Sequence, residues 1–375
     1  MRRAKTSGKP QSSATGRFGH SAAGPAGPPG WLPEWQMVPG TNFVVDKFGR
    51  KTQDSIKCKS WFLTHFHSDH YQGLNSRYKA GLVFCTPITA RLVQQRLKTP
   101  ADRIRIVPLN TPLMVEGVRV TFLEANHCPG AAMILFEPPG AVPVLHTGDC
   151  RCHTSMQLEP CLQPLRGKLN LILDTTYCQP QYDFPLQQQV LQFVLEAVKA
   201  EAFNPGTLFL FGSYTIGKER LFLEVARLLQ QKVYVSPTKK AVLDCLGLAP
   251  EYASLLTTND SEARIQAVPL WMVSLKQMAR IAKHYKGRFS TIVGFQPTGW
   301  TQKSGVQDTE RGRASHGRRR QKGTLIVYQV PYSEHSSFRE LREFVAWLQP
   351  RRIIPSVGND SGPKARDMVA ALRPA

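Results

Sequence analysis

The stretch Thr64-His65-Phe66-His67-Ser68-Asp69-His70 places three imidazoles and one carboxylate within six residues, directly after an apolar run. Neutral imidazole nitrogens and carboxylate oxygens are ligands that Zn²⁺ takes in proteins. Residues two apart on a strand point to the same side, so His65 and His67 are expected to share one ion. Asp69 and His70 follow at the turn, where they can face a second ion or hold the first ion's water. The alternative is a solvated histidine-rich loop, which rarely gathers so many potential ligands.

The pattern His-x-His-x-Asp-His resembles the metallo-β-lactamase superfamily, whose remaining ligands follow in order along the chain. His127 comes after the strand-like run 118–123 and matches the third zinc histidine of that superfamily. Asp149 comes after the apolar run 142–145 and matches its metal-bridging aspartate, while Asp46 matches its early strand-end aspartate. Ligands at the ends of separate strands can converge on one rim.

Length and charge narrow the class of protein. The 375 residues suit two moderate domains or one domain with a large insertion. No apolar run approaches the roughly 18 residues that span a bilayer, so a soluble protein without a membrane partner is expected. Of the net charge of +21, residues 1–30 and 302–322 each contribute +5, which leaves +11 elsewhere. This excess favours a polyanionic partner, although charge alone leaves a generic basic surface equally open.

Cysteine usage favours a cytosolic or nuclear compartment, and the predicted location is the nucleus. The eight cysteines show no Cys-x-x-Cys pair, so we interpret them as reduced thiols. Packing roles are favoured over soft-metal binding for Cys150 and Cys152. Residues 1–30 lack acids and are rich in Gly, Pro, Ser and Ala, so a disordered basic tail is expected. This tail has no signal-peptide core, and an organellar transit peptide stays open as an alternative.

The order of the hydrophobic patterns predicts two interleaved domains. Short β-patterned runs dominate residues 31–183, and helices then alternate with strands over residues 184–323. Such alternation is typical of a small parallel α/β domain inserted into the first one. Residues 302–322 are predicted to be a basic mobile loop of the insert. The first domain is expected to resume over 324–375, beginning with a strand from 324 to 330.

An insert at this place resembles that of the β-CASP nucleases. Asp174 ends a strand pattern as their first insert-associated acid does, and His335 within Pro331 to Ser337 matches their second-motif histidine. The third-motif position is histidine in RNA-processing members and is Val357 here. Valine at this position resembles the DNA-processing branch, so the departure favours DNA as the substrate.

Two further stretches, 212–219 and 296–300, resemble the DNA interstrand cross-link repair exonucleases. The resemblance covers about 31 to 357. It implies an α/β fold, namely a metallo-β-lactamase αββα sandwich with an inserted β-CASP α/β domain.

The resemblance also implies the roles of the site residues. One tight Zn²⁺ site is expected, with a weaker or substrate-completed second metal because Val357 leaves that site short of a ligand. The expected metal ligands are His65, His67, Asp69, His70, His127 and Asp149. Asp46 is expected to contact these ligands without touching the metal. The expected catalytic residues are Asp69, Asp174 and His335. His335 would protonate the leaving oxygen or bind phosphate, with Asp174 fixing its tautomer, unless both residues only cap loops.

A third group of residues is predicted to contact phosphate or DNA. A turn between a strand and a helix offers backbone N–H groups that can cradle a terminal phosphate, although a plain helix cap is the competing account. Aromatic faces can stack on bases, although core tryptophans are commoner. The predicted contacts are Ser213, Tyr214, Lys218, Thr298, Trp300 and Ser333.

The predicted function is that of a zinc-dependent DNA nuclease. We expect a 5′→3′ exonuclease acting on 5′-phosphorylated DNA, single-stranded or end-containing, in interstrand cross-link or double-strand break repair. One alternative is a structure-selective endonuclease that opens hairpins or overhangs, and another is a DNA-end-binding scaffold without chemistry. Hydrolysis of a small thioester or lactam is disfavoured by the insert and the charge. The sequence identifies no protein partner.

Overall fold

Three β-sheets and nine α-helices form the part of the chain described by a computed structural model, residues 32–299, 317–358 and 363–373. The predicted disordered tail, Trp300 and residues 302–316 of the predicted loop lie outside these ranges. No helix within them is long and apolar enough to cross a membrane.

The elements are numbered in chain order. The strands are β1 Val44–Val45, β2 Ser60–Phe62, β3 Leu82–Cys85, β4 Ile104–Ile106, β5 Leu113–Val115, β6 Val118–Glu124, β7 Ala132–Glu137, β8 Val144–His146, β9 Asn170–Leu173, β10 Thr207–Ser213, β11 Val233–Tyr234, β12 Leu256–Thr257, β13 Ile265–Pro269, β14 Thr291–Pro297, β15 Arg318–Lys322, β16 Leu325–Val330 and β17 Arg352–Pro355. The helices are α1 Arg50–Ser55, α2 Pro87–Leu92, α3 Gln187–Ala202, α4 Glu219–Leu229, α5 Pro237–Asp244, α6 Pro250–Ala253, α7 Leu275–His284, α8 Phe338–Leu348 and α9 Pro363–Leu372.

Two sheets pack face to face in the first domain. One has the order β1-β2-β3-β4 and the other the order β17-β9-β8-β7-β6-β5. Phe62 on β2 lies between them, with its ring centroid 5.0 Å from that of Phe136 on β7 and 5.1 Å from that of Phe84 on β3. Burial of each such ring contributes about 1.5–3 kcal/mol, so this aromatic layer holds the sheets together.

The carboxyl ends of the ligand-bearing strands meet at one rim. Strands β1 and β2 are parallel. Strand β7 is antiparallel to both β6 and β8, and β8 is parallel to β9, so β6, β8 and β9 run in the same direction. Residues that directly follow these strands therefore gather on one side of the domain.

The third sheet belongs to the insert and has the order β12-β11-β13-β10-β14-β16-β15. Its strands are parallel except for β15, which is antiparallel to β16. Alternate residues of β10 face opposite sides. Phe209 and Phe211 lie in the same apolar cluster as α3 and α4, whereas Leu208 and Leu210 pack in the cluster that includes Met278 of α7.

Two predictions about this sheet are wrong. Strand β16 was expected to return the chain to the first domain, but it pairs with β14 from Ile292↔Leu325 to Pro297↔Val330. The chain rejoins the first domain after β16, through α8, whose Leu348 carbonyl accepts the Gly167 N–H, and through β17 beside β9. Residues 318–322 of the predicted mobile loop form β15, whose backbone pairs with β16. A short apolar run specifies a strand, but it does not specify which sheet the strand joins.

Candidate metal centre

Three imidazole nitrogens converge on one point at the rim of the first domain. Nε2 of His65 lies 3.0 Å from Nδ1 of His67, and Nε2 of His127 lies 3.1 Å from the same atom. On the far side of its ring, His67 has the carbonyl oxygen of Ile216 at 3.2 Å, and His127 has that of Glu334 at 2.7 Å. A carbonyl oxygen only accepts, so these two rings carry their protons outward and direct lone pairs inward.

The proton of His65 is fixed by a chain of two further groups. The Thr64 hydroxyl donates to Oδ2 of Asp46 at 2.6 Å, because a carboxylate can only accept. Thr64 Oγ1 is then the acceptor for Nδ1–H of His65, at 3.0 Å. His65 therefore also directs a lone pair inward from Nε2.

Lone pairs that face one another at this spacing repel unless a cation lies between them. In a tetrahedral site with ordinary Zn–N bonds the ligand atoms lie about 3.3 Å apart, so the observed spacing fits Zn²⁺. Oδ2 of Asp149 adds an oxygen 3.7 Å from Nε2 of His65 and 3.8 Å from Nε2 of His127. Burial lowers the pKa of His65, His67 and His127, to about 4 for His127, which favours the neutral form that binds metals.

His70 and Asp69 form a neighbouring group. Nδ1–H of His70 donates to Oδ2 of Asp46 at 2.7 Å, which directs Nε2 toward Oδ2 of Asp149 at 3.4 Å. Burial lowers the pKa of His70, but Asp149 and Asp46 outweigh it and raise this pKa well above its usual value. Asp69 is exposed, with Oδ2 3.7 Å from Nε2 of His70. Either a proton or a second cation fits between His70 and Asp149, so the second metal stays a prediction.

His335 and Asp174 form a pair beside the three imidazoles. Nδ1–H of His335 donates to Oδ2 of Asp174 at 2.7 Å, and the ring centroid of His335 is 4.8 Å from that of His127. Burial lowers the pKa of His335, but Asp174 outweighs it and raises this pKa to about 9, which favours the charged ring. The pair also has, with Asp149, the donor set of a metal site. Both arrangements place His335 beside the candidate metal centre, and its catalytic role stays a prediction.

The turn between β10 and α4 brings the insert into contact with the metal centre. The Glu334 carboxylate accepts the backbone N–H of Lys218 at 2.7 Å and its ammonium at 3.1 Å, and both side chains are buried. The prediction that this ammonium binds phosphate is therefore corrected, because the charge is already paired. The pair instead anchors the turn that presents the Ile216 carbonyl to His67.

The remaining predicted phosphate contacts lie at the carboxyl ends of neighbouring insert strands. Ser213 ends β10, Thr298 follows β14 and Ser333 follows β16. Tyr214 is 49% exposed, with its ring centroid 5.3 Å from the Lys218 ammonium. The Ser333 hydroxyl accepts from the His335 N–H at 3.0 Å and donates to the His335 carbonyl at 2.8 Å, which shapes the loop. The fold gathers these residues, and their contact with DNA stays a prediction.

Arg151 is a site residue that sequence reasoning did not identify. Its guanidinium is buried, lies 3.0 Å from Oε1 of Glu340 and donates to the Ser333 carbonyl at 2.8 Å. It thus ties the segment after Asp149 to the loop that carries His335. The available signal was a lone arginine two residues after Asp149, but Ser333 and Glu340 lie 182 and 189 residues further along the chain.

Comparison with known proteins identifies the family of this chain. The family described as "DNA repair metallo-beta-lactamase" matches residues 250–361. A protein of Arabidopsis thaliana named "DNA cross-link repair protein SNM1" is 35% identical over 99% of this chain and 75% of its own length. The chain belongs to the DNA cross-link repair metallo-β-lactamase family. This membership confirms the predicted fold class, including the metallo-β-lactamase domain.

Other members of the family differ in length. The "DNA cross-link repair 1A protein" of Mus musculus is 40% identical over 87% of this chain but only 31% of its own length. The chain thus spans about a third of that relative. The "5' exonuclease Apollo" of Gallus gallus is 36% identical over 86% of this chain and 64% of its own length. A protein of unknown function from Enterococcus faecalis V583 shares the fold, with a TM-score of 0.50, 16% identity, and coverage of 79% of this chain and 74% of that one.

Proposed function

We propose that this protein is a zinc-dependent DNA nuclease, a 5′→3′ exonuclease that acts on 5′-phosphorylated ends. The observation that carries the proposal is the set of three inward lone pairs and one carboxylate beside the His335–Asp174 pair. The family gives the substrate class, since the relatives from mouse and Arabidopsis are named for DNA cross-link repair and the chicken relative is named a 5′ exonuclease. A nuclear location and a role at interstrand cross-links or double-strand breaks belong to the same proposal.

His65, His67, His127 and Asp149 would hold the tight Zn²⁺. Bound there, the ion lowers the pKa of a water molecule and neutralises charge on a phosphate oxygen. Asp69 and His70 would complete a weaker second site with Asp149, occupied when DNA phosphate supplies further oxygens. Asp46 holds His70 and, through Thr64, His65 in the tautomers that this arrangement requires.

His335 is the proposed general acid. As water adds to phosphorus, the bond to the leaving 3′ oxygen breaks, and that oxygen needs a proton. Asp174 accepts Nδ1–H of His335, so the Nε2–H of the charged ring is the proton that can be given to the leaving oxygen. Such positioned proton transfer typically contributes about 10²- to 10⁴-fold to a rate.

The requirement for a 5′ phosphate is the part of the proposal that separates an exonuclease from an endonuclease. Ser213, Tyr214, Thr298 and Ser333 share the edge of the insert sheet that leads to His335. A terminal phosphate bound at this edge would position the next phosphate at the metal, so that binding energy from the end is used at the reacting bond.

Digestion of end-labelled single-stranded DNA tests the proposal. Wild-type protein should release nucleotides from strands with a 5′ phosphate, should act much more slowly on 5′-hydroxyl strands and should stop when a chelator is added. The His335→Ala variant, with its zinc content confirmed, is the matched control for a contaminating nuclease. Equal cleavage of closed circles would replace the exonuclease with the endonuclease alternative, and binding without any cleavage would favour the scaffold.

A further inference from the structure

One face of the insert carries a dense positive charge with no acid. Residues 263–299 and 317–333 contain no Asp or Glu. Nine lysines and arginines within these ranges are exposed: Lys276, Arg280, Lys283, Lys286, Arg288, Arg318, Arg319, Arg320 and Lys322. Among the described residues only Arg319 of this set has a carboxylate within 4.0 Å, that of Glu201 at 3.3 Å. The Arg288 guanidinium donates to the carbonyl oxygens of Asp260, Ser261 and Ala263. The other seven basic side chains have no carboxylate partner among the described residues.

The geometry places many of these charges on the same side of the insert. Arg318, Arg320 and Lys322 alternate along β15 and so share one face of the strand, while Arg319 turns the other way toward Glu201 on α3. Lys322 lines a groove of about 810 Å³ that α7 borders on its other side. Lys276 of α7 lines the same groove, with Ala279 and Ala282 forming an uncharged floor.

Protection of an exposed strand edge explains only part of this charge. Edge strands often carry lysine or arginine because charges prevent pairing with another chain. This reason applies to β15, which ends its sheet, but not to the five exposed basic residues from Lys276 to Arg288, which lie on α7 and the segment after it. The combined surface therefore fits an extended polyanion better than edge protection alone.

The basic strand is also continuous with the reaction centre. Arg318 pairs with Gln329 near the end of β16, and the chain continues from β16 through Ser333 to His335. Lys322 lies at the other end of β15, about 13 Å further away for four residues of extended strand. A polymer threaded from the centre along β15 would meet a basic side chain at every second residue.

We propose that this face, formed by α7 and the β15–β16 hairpin, binds the sugar–phosphate backbone of one DNA strand beyond the reacting phosphate. The inference rests on the proposed function for its substrate and adds a second, remote contact surface. The proposed reaction acts on the end of one strand, so a single strand is the occupant of this face. If this face binds DNA, long strands should bind with higher affinity than short ones.

The first test measures binding of nuclease-resistant phosphorothioate oligothymidylate to the zinc-loaded protein over a range of salt concentrations. Each basic residue that neutralises a phosphate of a single strand contributes about 0.7 to the slope of log affinity against log salt. The triple variant Arg318→Ala, Arg320→Ala, Lys322→Ala should therefore lower the slope by about 2. The double variant Lys57→Ala, Lys59→Ala is the control, since both lysines are exposed at the amino end of β2, away from the metal rim.

A second variant tests the same face without altering the edge strand. Lys276→Ala, Arg280→Ala, Lys283→Ala places alanine, the best helix former, on α7, and should lower the slope by a similar amount. In both variants, the ratio of kcat/KM for long to short strands should fall relative to the wild type.

Three results would overturn the inference. The first is an unchanged salt slope in both folded triple variants, and the second is an equal decrease of the slope in the Lys57/Lys59 control. The third is a loss of affinity for polyglutamate, but not for DNA, in the triple variants. Because the binding readout requires no cleavage, it also separates this inference from the proposed function. A protein that binds phosphorothioate oligothymidylate through this face but never cleaves the ordinary phosphodiester strand would refute the nuclease and leave the DNA-binding surface supported.

Discussion

Replacement of Asp46 by Asn should weaken zinc binding, although Asp46 is not expected to touch the ion. Its carboxylate accepts three hydrogen bonds, from the Thr64 N–H at 2.8 Å, the Thr64 hydroxyl at 2.6 Å and His70 at 2.7 Å. An asparagine amide in the same place offers one accepting oxygen, and its NH₂ group would face two donors at the position of Oδ2. The Thr64 hydroxyl must then turn to accept from the amide and donate to Nδ1 of His65. That reversal moves the His65 proton to Nε2, where it points at the ion's position.

The expected loss follows from this change of tautomer. Substitution of groups that orient metal ligands typically costs 10- to 100-fold in metal affinity, which is about 1.4–2.7 kcal/mol. Competition with a chelator at neutral pH measures the zinc affinity directly. Imidazole nitrogen shifts in an NMR spectrum of the metal-free protein report the position of the His65 proton.

Substitutions at Thr64 supply the matched controls. Thr64→Ser keeps the hydroxyl and should bind zinc nearly as the wild type does, whereas Thr64→Val removes the relay at similar volume and should resemble Asp46→Asn. If folded Asp46→Asn bound zinc as tightly as the wild type, the proton chain through Thr64 would be the wrong account of how His65 is oriented.

Four other substitutions address a proposed zinc ligand, the proposed general acid and its aspartate partner, and the buried arginine. His67→Ala should lose its zinc in a folded variant, and elemental analysis showing an unchanged stoichiometry would remove His67 from the ligand set. Asp174→Asn and His335→Ala should keep zinc yet lose about 10²- to 10⁴-fold of nuclease rate, and wild-type rates in either would return that residue to a loop-capping role. Arg151→Met should lower the free energy of unfolding in urea by about 3–5 kcal/mol, because Glu340 is left nearly buried without its partner. The double variant Arg151→Met, Glu340→Leu should recover much of this loss, and no recovery would mean that the ion pair is not the cause.

Local patterns predicted the rim of the first domain well. His65, His127 and Asp149 each follow a short apolar run, and a strand end is a local property that sequence patterns express. The structure brings these residues together because parallel strand ends share an edge. His335 and Asp174 were paired by resemblance, and they are hydrogen-bonded in the structure.

Long-range partners were not predictable in the same way. Lys218 looked like a phosphate ligand because the turn before a helix suits anions, yet Glu334, 116 residues later, neutralises its charge. Nothing in either local sequence specifies that pairing. Strand β13 is difficult to predict for a related reason, since Gln266 and Pro269 interrupt a short apolar run that is stabilised by strands on both sides.

The contact between the Ile216 carbonyl and His67 makes the two domains partners in a single binding equilibrium. If bound zinc favours the docked position of the insert, the docked insert must increase the affinity for zinc. The coupling free energy is the same in both directions. The zinc affinity and the position of the insert are therefore coupled through this hydrogen bond. In the proposed nuclease, movement of the insert away from the rim would remove the acceptor that fixes the His67 proton, and it would thereby weaken the zinc site on which cleavage depends.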